Sequence, residues 1–425
     1  MGSMPRATRP RVLVAALVAV GTLLAAGCVP PTISPHSDAG SGLRLLGSTG
    51  GSGARSCPLP EGGDAFGTAA PDEVDIDPGA VERAVWIATL NLAASVRIYR
   101  HDCLVATSGR DGETERAPQN LWSATKGVLS IIVGRAITMG KLGLDDPIGR
   151  YLPQADAAHG AITVRQLLTQ TSGLRFAWAN TIASGVDRDS VAWTLTLPFD
   201  HPPGTFFEYA QTTLTTLGAV VEAAVGEDLQ AFARDEVFRP LGIPDDRWTW
   251  ERDGAGHTYG YAFLAMAPLD LARIGELLLH RGDWRGRRIV DAAYVDEMGR
   301  ATPTNGGYGF LVWSNEGESY FTASALVRKE RDHRWLAATP PDTYALSGLF
   351  DQFVYVLPSL DMVVVRTGAQ GLPNWAFEMF RTLLGGLRDV RVPDPGPPPD
   401  DDLLDLSDFS KLLDLGTFPV SDPIR

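Results

Sequence analysis

At 425 residues the chain is long enough for two or three domains, and its apolar (44%) and charged (21%) fractions are those of an ordinary globular protein. The net charge of −14 leaves no basic face, so nucleic acid is excluded as a partner. The seven histidines are scattered and neither His-Glu-x-x-His nor Cys-x-x-Cys occurs, so no metal and no cofactor is expected.

The chain opens on Arg6, Arg9 and Arg11, followed by an apolar run from Val12 to Ala26. That run is shorter than a membrane span of roughly 20 residues and has the form of an export signal, over residues 1–27. Leu24-Ala25-Ala26-Gly27-Cys28 resembles a bacterial lipobox, which implies lipidation of Cys28 and anchoring on the outer face of the cytoplasmic membrane. A simple secretory signal, with the protein secreted, is the alternative. With Cys28 modified, Cys57 and Cys103 remain, an even number for an oxidising compartment and an expected disulfide. Residues 28–75 are rich in Gly, Ser and Pro and are expected to form a flexible tether.

From Asp77-Pro78 onward the apolar spacing of Val81, Val85, Ala88 and Leu92 predicts a helix. Ser95–Tyr99 and Leu104–Ala106 read as strands joined by a turn at Arg100-His101-Asp102. A helix is then expected from Ser123 to near Gly140 or Gly143. Ser123 and Lys126 stand three residues apart, on one face of that helix. The chain holds four lysines against thirty-three arginines, so one chance Ser-x-x-Lys is no surprise, and an N-cap serine with a solvated lysine is the plain alternative.

Thr163-Val164-Arg165-Gln166 has the form of a capping box, and its helix stops at Gly173. Further helices are expected at about 212–225, 229–238 and 268–280. Strands follow at 309–313, 352–357 and 362–367, then a helix near 375–384. Strands first, helices inserted, strands and a helix last make an α+β fold. The main domain is read as residues 76–390 with a mostly helical insertion at about 145–300. Residues 391–425 are a Pro/Asp-rich tail.

Several stretches, in this order, resemble the serine β-lactamase and penicillin-binding-protein superfamily, nearest to class C-like esterases and 6-aminohexanoate-dimer hydrolases. They are Leu121 to Gly127, Ile162 to Leu174, Pro202 to Tyr209, and Gly348 to Arg366. The resemblance implies a β-lactamase-like fold, a mixed antiparallel sheet flanked by helices. It implies Ser123 as nucleophile with Lys126 as its base, and Tyr209 of Tyr209-Ala210-Gln211 as acid/base partner. Gln211 stands where an Asn or Ser contacting substrate is usual. The third box, Lys-Thr-Gly in β-lactamases, is missing, and Ser347-Gly348-Leu349-Phe350-Asp351-Gln352 takes its place. By placement, the backbone N–H of Leu349, or of Gly348, joins that of Ser123 as oxyanion donor. Phe350, Phe176 and Trp178 are candidate pocket residues, and His201 is the one histidine worth following.

The expectation is a serine hydrolase acting on a small ester, amide or peptide by acylation of Ser123 and hydrolysis of the acyl-enzyme. A true β-lactamase is less favoured, because the third box has no cation and Asp351 adds a negative charge nearby. A non-catalytic or acylation-only surface lipoprotein is the competing class.

Overall fold

Alternating side chains build the central sheet, as the strand Met362–Gly368 illustrates. In the computed structural model, which describes residues 44–45, 54–176, 188–323 and 329–400, Met362 and Val364 enter one apolar core while Val363 and Val365 enter another. A strand buried on both faces favours β-branched residues, and this one has three in a row. The strands are β1 (Ala93–Arg100), β2 (Cys103–Thr107), β3 (Trp313–Ser314), β4 (Tyr344–Gly348), β5 (Gln352–Leu357) and β6 (Met362–Gly368). They run antiparallel in the order β2-β1-β6-β5-β4-β3, with Arg44–Leu45 paired outside β2.

On one face lie α1 (Pro78–Leu90) and α5 (Trp375–Leu384), packed on each other. Asp77 caps α1 by accepting from the Ala80 N–H, and Pro78 fits the first helical position. On the other face lie α2 (Thr125–Thr138) and α4 (Pro268–Leu279), while α3 (Thr212–Val225) packs on α2 beyond the sheet. Gly275 brings α4 close to the sheet, since a Cβ there would collide with Val363 and Val354. Gly127 does the same for α2 against Leu346 of β4.

Two domain boundaries and one strand differ from expectation. The tether does not reach residue 75. Arg44–Leu45 pairs with β2, and residues 54–75 pack on the hairpin of β1 and β2, with Phe66, Ala69 and Val74 buried and Arg55 bonded to Glu73. Scattered apolar residues without a period were enough, because a disulfide joins Cys57 to Cys103 with Cα atoms 5.0 Å apart. The helical insertion ends earlier than 300, because α4 belongs to the sheet layer. Its segments Leu264–Met266 and Trp248–Trp250 form a small sheet with Gln119–Asn120, which lies ahead of the insertion. The expected strand at 309–313 is reduced to β3, since Leu311 turns through a positive φ of 59°. The signal, Cys28 and the tail beyond residue 400 lie outside the described residues.

Candidate active site

Ser123 stands in a tight turn just before α2. Leu121 N–H donates to the Leu264 carbonyl at 2.8 Å, Trp122 N–H to Asn120 Oδ1 at 2.9 Å, and Ala124 N–H to the Leu121 carbonyl at 3.0 Å. Trp122 takes φ 48°, a left-handed conformation that a bulky residue rarely adopts. The turn is therefore held by its neighbours, and it leaves Ser123 partly exposed at the helix start. Gly348, at the end of β4, lies against it; a Cβ there would collide with the Leu121 carbonyl.

Lys126 is 1% exposed, which removes the capped-serine, solvated-lysine alternative. Its Nζ lies 2.8 Å from Ser123 Oγ, 2.8 Å from Gln211 Oε1 and 2.9 Å from the Tyr261 carbonyl. Burial, with no carboxylate to oppose it, holds the amine well below its usual range. A neutral amine has two N–H groups and one lone pair. Gln211 Oε1 and the Tyr261 carbonyl can only accept, so they take both N–H groups. The lone pair is left for the Ser123 hydroxyl. The Gln211 amide is itself oriented, because its Nε2 donates to the Tyr209 carbonyl at 3.1 Å.

Tyr209 completes the group. Its ring lies 4.6 Å from Lys126 Nζ and packs against Tyr308 and Trp313. Burial pushes its phenol up to about 12, opposed by a hydrogen bond with Ser123. The Thr-Gln-Thr-Ser-Gly stretch explains how Tyr209 is placed. The Gln170 carbonyl accepts from Glu208 N–H at 2.9 Å, and the Gln170 amide clasps the backbone of Ala210 through both its oxygen and nitrogen, at 3.2 and 3.1 Å. Gly173, at φ 75°, lets the chain pass His201 at close range.

The third box turns sharply between β4 and β5, with Phe350 at φ 62° and Asp351 at φ 61°. Leu349, just past β4, keeps 47% of its surface exposed, and its N–H donates to none of the described acceptors. Phe350 packs edge-on to Trp122, with ring centroids 5.4 Å apart, and Phe263 flanks Trp122 at 6.0 Å. An aromatic rim therefore borders Ser123.

Five expectations need correction or fall aside. Gln211 is 1% exposed and its amide is spent on Lys126 and Tyr209, so it positions the lysine instead of meeting substrate. Asp351 brings no charge to the site. Its carboxylate turns away to accept from Trp375 Nε1, Gly371 N–H and Gln370 Nε2 at 2.7–2.9 Å. His201 stacks on Phe206 at 3.9 Å. Phe176 is partly buried, next to Arg175, which pairs with Asp200. Trp178 lies outside the described residues. Sequence reasoning missed Gln170 and the Tyr261 carbonyl. Gln170 stood inside a stretch already singled out, whereas nothing marks a carbonyl 135 residues from its lysine.

A hydroxyl shared by a neutral amine and a phenol, at a helix start beside a free N–H, is equipped for nucleophilic attack on a carbonyl and for stabilising the resulting oxyanion. Comparison with known proteins agrees with this arrangement. Esterase EstB of Burkholderia gladioli is 33% identical over 145 residues, 29% of this chain and 37% of that protein. The 6-aminohexanoate-dimer hydrolase of Paenarthrobacter ureafaciens is 22% identical over 273 residues, 60% of this chain and 67% of that protein. The chain spans only 37–53% of the length of the first curated relatives it matches. The solved structure of EstCE1, a hydrolase with promiscuous acyltransferase activity, superposes with a TM-score of 0.54 at 20% identity, covering 72% of this chain and 98% of that one. The Beta-lactamase family model matches residues 91–378, from the end of α1 into α5, and so takes in the sheet and every residue around Ser123. With the fold, the serine–lysine–tyrosine group and that match in agreement, the chain belongs to the beta-lactamase family.

Proposed function

We propose that this protein is an exported serine hydrolase that cleaves an uncharged short-chain ester, or less readily an amide, through an acyl-enzyme on Ser123. The observation that carries it is the buried Lys126 amine, held by two acceptors and 2.8 Å from Ser123 Oγ. Lys126 takes the Ser123 proton as the hydroxyl attacks, and Tyr209 passes a proton to the leaving group. The N–H groups of Ser123 and Leu349 hold the oxyanion; that of Gly348, in β4, is the alternative to Leu349. Water then releases the acyl group. The third box supports an uncharged substrate, since Leu346-Ser347-Gly348 offers no cation for a carboxylate. The lipobox-like Cys28 supports attachment to the outer face of the cytoplasmic membrane through a lipid.

A fluorophosphonate probe and a pair of chromogenic substrates test this. Wild type should label at Ser123 and turn over p-nitrophenyl butyrate faster than a cephalosporin, and Ser123→Ala should do neither. Near-wild-type turnover in Ser123→Ala would sink the assignment, and labelling without turnover would establish an acylation-only protein. For the anchor, mass spectrometry of the mature N-terminus should find an acylated Cys28; an unmodified Cys28 refutes it.

A further inference from the structure

At the end of the sheet away from Ser123, the fold gathers a second set of chemical groups. Register places them there: Gly348 of β4 pairs with Gln352, Phe353 with Arg366, and the other end of β6, Met362, pairs with Arg100 beside the hairpin turn. That turn is His101-Asp102, both left-handed, at φ 52° and 63°. Across from it, Glu276 and His280 stand four residues apart at the C-terminal end of α4, on one helix face. One ligand atom each from Asp102, Glu276 and His280 lie within 4.8 Å of one another, and His280 Nε2 is 2.7 Å from Asp102 Oδ1.

Glu276 is the odd member among the buried acids. Asp111 is paired with Arg97, and Asp270 lies 3.2 Å from Arg247 and 3.4 Å from Arg273. Asp253 is capped by three backbone N–H groups, and Asp351 by two side chains and one N–H. Glu276 is fully buried and has no arginine or lysine partner; among the described residues no N–H or hydroxyl donates to either carboxylate oxygen, and the Asp102 carboxyl lies within hydrogen-bonding reach of it. A buried carboxylate needs a cation, a donor or a proton.

We propose that Asp102, Glu276 and His280 bind one divalent transition-metal ion of the zinc class, which fastens the β1–β2 hairpin to the end of α4. Two carboxylates and one imidazole are a donor set suited to zinc. Tetrahedral ligands at about 2.0–2.2 Å from one ion stand about 3.4 Å apart. His280 Nε2 and Asp102 Oδ1, now 2.7 Å apart, must therefore open to admit it, while the widest pair, within 4.8 Å, draws in. Water supplies the fourth position. Asp361, whose carboxylate is 2.7 Å from His101 Nδ1, adds negative charge beside the site. Cys57 and Cys103 are joined to each other and take no part. The competing state is a single proton shared between Glu276 and Asp102, which binds no metal.

The test is calorimetric titration of the chelator-treated, disulfide-intact protein with zinc, manganese and calcium chlorides, alongside thermal unfolding with and without each ion. One zinc per chain should bind with a raised unfolding midpoint. His280→Asn, at the more exposed edge, and Glu276→Gln, of equal size, should each weaken binding by at least about tenfold. Ester hydrolysis in His280→Asn should match wild type. Absence of saturable binding by any of the three ions, or equal zinc binding in wild type and both variants, would overturn the site.

Discussion

Replacing Lys126 with methionine should abolish turnover and also change how stability depends on pH. The lysine is fully buried with no carboxylate beside it, and burial alone drives its pKa well below 10.5. The native state therefore sheds a proton that the unfolded chain keeps until about pH 10.5. Stability rises with pH wherever the unfolded state holds more protons, here by about 1.4 kcal/mol per pH unit. Lys126's contribution is complete above pH 10.5 and is lost progressively as pH falls toward the native pKa. Over the pH range in which the native amine is neutral and the unfolded one is charged, that difference counts against stability. Methionine fills a similar volume and carries no proton, but it removes the hydrogen bonds that Lys126 gives to Gln211 Oε1 and the Tyr261 carbonyl, at about 1–3 kcal/mol each. Those losses oppose the gain, so the slope is the decisive quantity. Urea unfolding at pH 7, 8 and 9 should give a wild-type slope steeper than the variant's by about 1.4 kcal/mol per unit. Turnover should fall by about 10⁴-fold or more, as for other bases that act with a nucleophile as one unit. Parallel stability curves would refute a neutral lysine.

Gln211→Glu places a carboxylate against Lys126 Nζ, which favours the protonated amine; the acid limb of kcat/KM should move to higher pH, and an unmoved limb would contradict the role given to Gln211. Asp351→Asn should leave the preference between neutral and anionic substrates unchanged while lowering stability by about 1–3 kcal/mol, because its carboxylate serves Trp375 and the Gly371 N–H; denaturant unfolding and substrate panels check the two halves. Replacing Cys57 and Cys103 with serine should cost about 4 kcal/mol for a loop closed over 46 residues, read as a lower unfolding midpoint under non-reducing conditions.

What could be seen in the residues alone was whatever depends on short spacing. Ser123 and Lys126 are one helical turn apart, the Thr163–Gln166 capping box closes within three residues, and β5 and β6 show their apolar runs directly. What depends on long contacts was hidden. Gln211 meets its lysine across 85 residues, and a substrate contact was the natural guess for an amide beside Tyr209. Asp351 could face either way until the left-handed turn and Trp375 decided it. Residues 54–75 look like linker because their packing partners, Tyr99 and Leu104, lie across a covalent bridge and carry no local period.

That bridge also has a mechanical consequence. A pull applied upstream of residue 57 is handed across the sulfurs to Cys103 at the start of β2. Residues 58–102, which include α1 and β1, sit inside the closed loop, off the covalent path of the pull, and are reached only through non-covalent contacts such as Arg55 to Glu73. A pull from the N-terminal side therefore loads the sheet at β2 and largely spares the packed segment between the two cysteines. Reduction would reroute the same force through Phe66, α1 and β1 in turn, so one covalent bond decides which elements are strained when the chain is held by its N-terminal side.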